Sequence, residues 1–225
     1  ADLLGLKYVF LSISMLICCC TATGQDTLLY KRPHISVVQF AAPVLLAGAG
    51  LSLSGPPKYE VKDWRNRHFD GFHTKADDVL SLAPIAVVYG LDLLGVEART
   101  DFANRSVILV KSELLALGSV YLLKASTREM RPDGSDFHSF PSNHSAQAFL
   151  AATFLSEEYG RRIRWIPYVA YTVASSVSAL RVLNNKHYIN DVLVGAGIGI
   201  LSQKLAYLTH RYQWGKRKQK APLNF

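Results

Sequence analysis

Apolar residues gather into long runs along this chain, and polar residues collect between them. Six runs stand out, at residues 35–55, 79–96, 106–123, 145–159, 165–180 and 189–209. No stretch of useful length alternates with the period of two that marks a half-buried strand, so each run is predicted to be helical. The expected fold is therefore all-α, a six-helix bundle. Several runs approach the ~20 residues that cross a hydrocarbon layer of about 30 Å. Asp92, Lys111, Glu113 and Lys204 fall inside them. Ionisable groups within a span face a protein or aqueous interior, so a membrane-embedded bundle is expected. Core helices of a soluble bundle are the alternative.

Charge gives the expected orientation. The formal net charge of +8 sits near the ends and in short connectors rather than along one stripe, and no nucleic-acid motif accompanies it. Arg99 and Arg105, then Arg161, Arg162 and Arg164, then Lys216, Arg217, Lys218 and Lys220 occupy three connectors. If the runs alternate across a bilayer, these three share one side, and the positive-inside rule makes it cytoplasmic. Segment 56–78 falls on the opposite side and balances five Lys/Arg with five Asp/Glu. It is expected to be a solvated connector; a surface helix carrying Trp64, His68, Phe69, Phe72 and His73 over the site is the alternative.

The N-terminus has the form of a secretory leader. Lys7 precedes an apolar stretch ending in Cys18, Cys19 and Cys20, and Ala22 and Gly24 stand just before Gln25. The expected organisation is a signal peptide or anchor at 1–24, one helical domain at 25–214 and a basic tail at 215–225. A cleaved leader leaves the new N-terminus outside, whereas six alternating spans require it inside. The conflict resolves if the leader is not processed, if run 35–55, weakened by Gly48-Ala49-Gly50, does not fully cross, or if the chain is a secreted soluble bundle.

Three clusters carry chemistry. Lys124 and Arg131-Pro132 form the first, Pro141-Ser142-Asn143-His144 the second, and Arg181, His187 and Asp191 the third. Taken singly, each has a bland explanation: an interfacial anchor, a helix cap, a surface pair. Together, at the ends of apolar runs, they suit a phosphate. Lys124 and Arg131 are seven residues apart and would share one face of a continuous helix until Pro132 stops it. Arg131 and Arg181 offer planar forks for phosphate oxygens. Pro141 and Ser142 predict a helix start whose free N–H groups, with the Ser142 hydroxyl and the Asn143 N–H, would cradle an anion. His187 and Asp191, four apart, would share a helical face, with the carboxylate fixing the tautomer of a nucleophilic imidazole. His144 would face it as general acid. No grouping has convincing metal-ligand spacing, and the cations already supply positive charge, so neither metal nor cofactor is expected.

At these residues the sequence resembles the type 2 phosphatidic acid phosphatase superfamily. The match runs through Lys124, Arg131, Pro132, Pro141, Ser142, His144, Arg181, His187 and Asp191, within about 79–209. The resemblance implies His187 as nucleophile, Asp191 as its orienter, His144 as acid, and Lys124, Arg131, Ser142 and Arg181 on the phosphate. It departs at Asn143, where glycine is usual, and at Leu180, where serine is usual. The short link from Pro132 to Pro141 resembles the bacterial membrane lipid phosphatases. This implies an inner-membrane enzyme with a periplasm-facing site at the helix ends. Lipid A, phosphatidylglycerophosphate, undecaprenyl pyrophosphate and phosphatidic acid are the candidate substrates, and the bilayer is its partner, with no obligate protein partner. A soluble periplasmic acid phosphatase, a vanadium haloperoxidase and a non-enzymatic binding protein are the rival readings.

Overall fold

A computed structural model of the chain describes residues 38–210. The expected leader with its three cysteines and the basic tail lie outside the described residues. Among the described residues there are eight helices and no strands: α1 (Val38–Ser52), α2 (Pro56–His68), α3 (Ala76–Leu80), α4 (Ala83–Leu93), α5 (Phe102–Thr127), α6 (Asn143–Tyr159), α7 (Ile166–Leu183) and α8 (Ile189–Leu208).

The two helices beyond the six predicted arise in and beside segment 56–78. Gly55-Pro56-Pro57 interrupts the chain after α1, which bends by 84° into α2 rather than entering a plain connector. Arg65 on α2 is buried, and its Nε donates to the Leu183 carbonyl at 2.8 Å. Lys58 is also buried, paired with Glu129 and 4.9 Å from the Tyr188 ring centre. Thus α2 docks on the end of α7 and on the turn that follows it. The predicted run 79–96 is split between α3 and α4, because Pro84 in the first turn of α4 cannot donate to a preceding carbonyl.

Span lengths also depart from expectation. Among the described residues three helices, α5, α7 and α8, are long and apolar enough to cross a bilayer, and the bent α1–α2 pair would make a fourth. α4 has only 11 residues, and α6 has 17, most of them buried inside the protein. The described helices thus provide up to four spans by length and composition.

α6 forms the centre, with Leu150, Ala151, Ala152 and Phe154 fully enclosed. α8 packs on it through glycines. A Cβ on Gly199 would stand 2.1 Å from the Ala146 carbonyl oxygen, and one on Gly195 2.5 Å from that of Ser142. Only glycine permits this approach, the kind that small residues allow between helices in lipid. It brings the first turn of α8 against the first turn of α6, where the Ser142 N–H donates to the Asp191 carbonyl at 3.0 Å. At the other end of α6, buried Glu158 accepts from the Thr100 N–H and hydroxyl and from the Tyr207 hydroxyl, at 2.9, 2.8 and 2.5 Å. Its lone pairs are satisfied, which a buried carboxylate requires.

Candidate active site

Four chain segments meet at one end of the bundle. The first is the end of α5. Arg128 adopts a left-handed conformation (φ 47°) and closes the helix, its N–H donating to the Lys124 carbonyl at 3.1 Å. Arg131 therefore lies beyond the helix, so it does not share a helical face with Lys124 as the spacing predicts. The two still meet across a compact loop. Lys124 Nζ donates to the His138 carbonyl and, at 3.4 Å, to that of Ser139. Arg131 donates to Asp136 twice, from its backbone N–H and from Nε, each at 2.9 Å. Burial acts to raise Asp136, but the Arg131 guanidinium and the His138 N–H outweigh it and hold that carboxyl below the usual range. Tyr121, Lys124, Ala125, Arg128 and His138 line a cleft of about 210 Å³ beside this loop.

The second segment opens α6. Ser142 is its N-cap, fully buried, with Oγ accepting the Ser145 N–H at a long 3.4 Å. The Ser142 hydroxyl proton remains able to donate elsewhere. Asn143 is the first helical residue and does not take a positive φ, so glycine is not required there. Its N–H and that of His144 stand in the first turn, where backbone donors lack intrahelical partners. The predicted helix start at Pro141–His144 thus matches the observed one. The His144 ring reaches α3, with Nε2 2.9 Å from Asp78 Oδ1. Burial and then the Arg181 charge hold His144 below the ordinary histidine range, against the opposing pull of Asp78.

The third and fourth segments are the end of α7 and the turn into α8. Arg181 is buried, and its Nη1 donates to Asp77 Oδ2 at 2.6 Å. Its Nε is buried with no partner among the described residues. Asn184 caps α7, Asn185 turns the chain at φ 59°, and the Lys186 N–H returns to the Arg181 carbonyl at 3.1 Å. Lys186 also pairs with Asp133 across to the α5–α6 loop, at 2.6 Å.

His187 lies in this turn, only 2% exposed. It precedes α8, so His187 and Asp191 do not sit on one helical face as their spacing predicts. Asp191 instead occupies the first turn of α8. Its Oδ2 accepts the Tyr188 N–H at 2.9 Å and the Ser139 hydroxyl at 2.5 Å, and lies 3.4 Å from His187 Nδ1. Burial pushes His187 well below the usual histidine range, and Arg181, Arg131, Lys124 and His144 act in the same direction. The imidazole is therefore neutral at physiological pH, with one nitrogen turned to a carboxylate.

The structure thus brings His187, Asp191, Lys124, Arg131, Arg181 and His144 into one electrostatic neighbourhood, with Ser142 tied to Asp191 through the backbone. Four residues of the site carry no sequence signal: Asp77, Asp78, Ser139 and Asn184. Asp78 and His144 are 66 residues apart, and Asp77 and Arg181 are 104 apart. Ligand atoms of Asp77, Asp78 and His144 lie within 4.8 Å of one another. The Asp77 oxygens are already engaged by Arg181 and by Asn184 Nδ2, the latter at 3.1 Å. A cation there would have to displace Arg181.

The chain is 36% identical over 151 residues to a lipid A 1-phosphatase of Porphyromonas gingivalis, an alignment covering 65% of this chain and 33% of that protein. It thus spans about a third of that relative's length. Among solved structures, Aquifex aeolicus LpxE is 22% identical with a TM-score of 0.49, covering 64% of this chain and 93% of that one. A transmembrane PAP2-type phosphatidylglycerolphosphate phosphatase of Bacillus subtilis is 21% identical with a TM-score of 0.45, covering 76% and 93%. The family model described as the PAP2 superfamily matches residues 105–215, from the start of α5 past the end of α8, and so takes in all three clusters. With that match across the four segments that build the site, residues 105–215 carry the pattern of the PAP2 superfamily.

Proposed function

We propose that this protein is a membrane-embedded lipid phosphatase that hydrolyses a phosphate monoester through a phosphohistidine at His187, without a metal ion. The observation that carries the reading is the state of His187: buried, uncharged, backed by Asp191 and surrounded by three cationic side chains.

The chemistry follows from that arrangement. A proton on Nδ1, which faces Asp191 Oδ2 at 3.4 Å, leaves the Nε2 lone pair free to attack phosphorus. Lys124, Arg131, Arg181, the Ser142 hydroxyl and the first N–H groups of α6 stabilise the three equatorial oxygens as charge builds on them. The bond from phosphorus to the ester oxygen breaks, and His144 gives its proton to the departing alkoxide. A water molecule then gives a proton to His144 and its oxygen attacks the phosphohistidine. Inorganic phosphate leaves, and neutral His187 is restored. A dianionic substrate favours cations around it, so the field that depresses His187 also recruits the phosphate.

The substrate class is read from two features. α5, α7 and α8 offer apolar surface of spanning length, ending at the site. The similarity to a lipid A 1-phosphatase makes lipid A the leading substrate, ahead of phosphatidylglycerophosphate, undecaprenyl pyrophosphate and phosphatidic acid. The catalytic unit is the helical domain within 25–214, in the inner membrane with its site facing the periplasm.

Detergent-purified protein should release phosphate from one of these four lipids, and rapid acid quench should trap a labelled phosphoprotein. His187→Ala should abolish both signals, a loss of at least about 10³-fold in turnover. Full activity in that variant would sink the phosphohistidine role. No release from any of the four would sink the substrate class.

A further inference from the structure

A segment outside the three motifs holds two site residues from behind. We propose that Asp78 is the positioning residue for His144 and Asp77 the positioning residue for Arg181, so that α3 sets both the proton donor and one phosphate-gripping fork. The proposal rests on the function inferred above.

The geometry begins with neighbouring residues on one short helix. Successive helical side chains diverge by about 100°, so two adjacent carboxylates can serve two different neighbours. Asp77, fully buried, turns to α7 and meets Arg181 Nη1 at 2.6 Å. Asp78, with its side chain 56% exposed, turns to α6 and meets His144 Nε2 at 2.9 Å. The segment is fixed in place by Asn184, whose Oδ1 accepts the Thr74 N–H and whose Nδ2 donates to the Thr74 carbonyl, each at 2.9 Å. Asn184 Nδ2 also reaches Asp77 Oδ1 at 3.1 Å. α3 is thereby bound to the end of α7 at Asn184, three residues before His187 along the chain.

Each contact has a defined chemical consequence. With Asp77 on Nη1, the guanidinium plane of Arg181 is fixed, and Nε and the remaining hydrogens are left for phosphate. A bound phosphate dianion favours protonation of His144; with Asp78 on Nε2, the ring so charged keeps that N–H and releases the Nδ1 proton to the leaving oxygen. The product is the neutral Nε2–H tautomer, still bonded to Asp78. The charged groups facing His144 are Asp78 and Asp77 from α3 and Arg181 from α7, and the neutral His187 ring lies in the turn before α8. Arg181 opposes protonation of His144, and the two carboxylates of α3 favour it. An exposed pair such as Asp78–His144 contributes little to stability, so a purely structural role predicts almost no effect of its loss.

The test uses detergent-solubilised full chain carrying Asp78→Asn or Asp77→Asn, with circular dichroism to verify folding. Removing the Asp78 charge disfavours protonated His144, so the alkaline limb of the kcat/KM profile should move to lower pH by about one unit. Turnover of a lipid phosphate, whose alkoxide needs a proton, should fall about 10²-fold, within the range of general acid catalysis. Turnover of p-nitrophenyl phosphate, whose phenolate leaves unaided, should change far less. Asp78→Glu should recover much of the lipid rate. Asp77→Asn should weaken vanadate inhibition and raise KM for both substrates alike, with no dependence on the leaving group. Wild-type pH profiles and equal substrate effects in Asp78→Asn, beside a His144→Ala variant that does discriminate leaving groups, would overturn the Asp78 role. Unchanged vanadate affinity in Asp77→Asn would overturn the Asp77 role. Neither result touches the functional reading, which instead falls if the wild type releases no phosphate or His187→Ala is fully active.

Discussion

His187 combines two properties that oppose each other in water: a basic ring, and burial among cations that keep the ring unprotonated. That opposition has a measurable effect on the free protein. The unfolded chain takes up a proton at this residue as pH falls below the ordinary value of 6.5, and the folded chain resists. Folded-state stability from this group is therefore present above about pH 6.5 and declines as pH falls toward its lowered folded value. Thermal melting in detergent should show a slope between about pH 6.5 and pH 5 that His187→Gln reduces. An identical slope in the variant would contradict a buried neutral imidazole. Asp133 acts in a different window. Burial tends to raise it, but Lys186 and Ser135 bring it down to about 2. Its contribution holds above the ordinary carboxylate value of 3.8 and is lost as pH drops toward 2. At this scale the candidate residues that the structure gathers at one site were readable because their types and order are distinctive. Asp77, Asp78 and Asn184 were not, because they act by proximity across distant parts of the chain, and acidic residues in a polar stretch look like solvated charge.

Between elements, the decisive contact is the approach of α8 to α6 through Gly195 and Gly199. Gly199→Ala would drive a methyl group into the Ala146 carbonyl, which is backbone and cannot swing aside. The variant should lose about 1–3 kcal/mol of stability, and activity should fall with it, because α6 would shift away from Asp191. Gly118→Ala on α5 meets nothing within 4 Å. It should be neutral or stabilising by up to about 1 kcal/mol, as expected of alanine for glycine in a helix. Melting temperatures of both variants check the contrast, and equal destabilisation would refute the packing account. Helix existence was legible in the apolar runs, and Gly55-Pro56-Pro57 was legible as a break, but run 79–96 reads as one helix and the break before Pro84 was missed. The helical state of segment 56–78 was not, because Arg65 and Lys58 are buried by partners that the local pattern does not contain. The end of α5 at Arg128, before Pro132, was also hidden. It depends on the loop that Lys124 and Asp136 hold together.

For the whole molecule, the functional reading makes one chemical commitment: positive charge at phosphate comes from side chains and backbone. Phosphate release should therefore survive EDTA and be inhibited by vanadate, which mimics the five-coordinate phosphorus. Loss in EDTA restored by a divalent cation would transfer attention to Asp77, Asp78 and His144, the donor set with the right spacing. The all-helical character of the described residues was legible in the apolar runs. The number of crossings was not, because an apolar run such as that of α6 does not reveal that most of its residues are buried against the protein's own helices.

The Lys186–Asp133 contact joins two loops that share no helix, the one carrying Arg131 and the one carrying His187. Both partners are partly exposed, with side-chain accessibilities of 32% and 21%, so dissolved ions can reach and weaken the clasp. Ambient salinity then becomes a tuning parameter for grip on the phosphoryl group. Raising sodium chloride from about 0.05 M to about 0.5 M shortens the screening length severalfold. It should raise KM more steeply in the wild type than in Lys186→Met, where the clasp is already open.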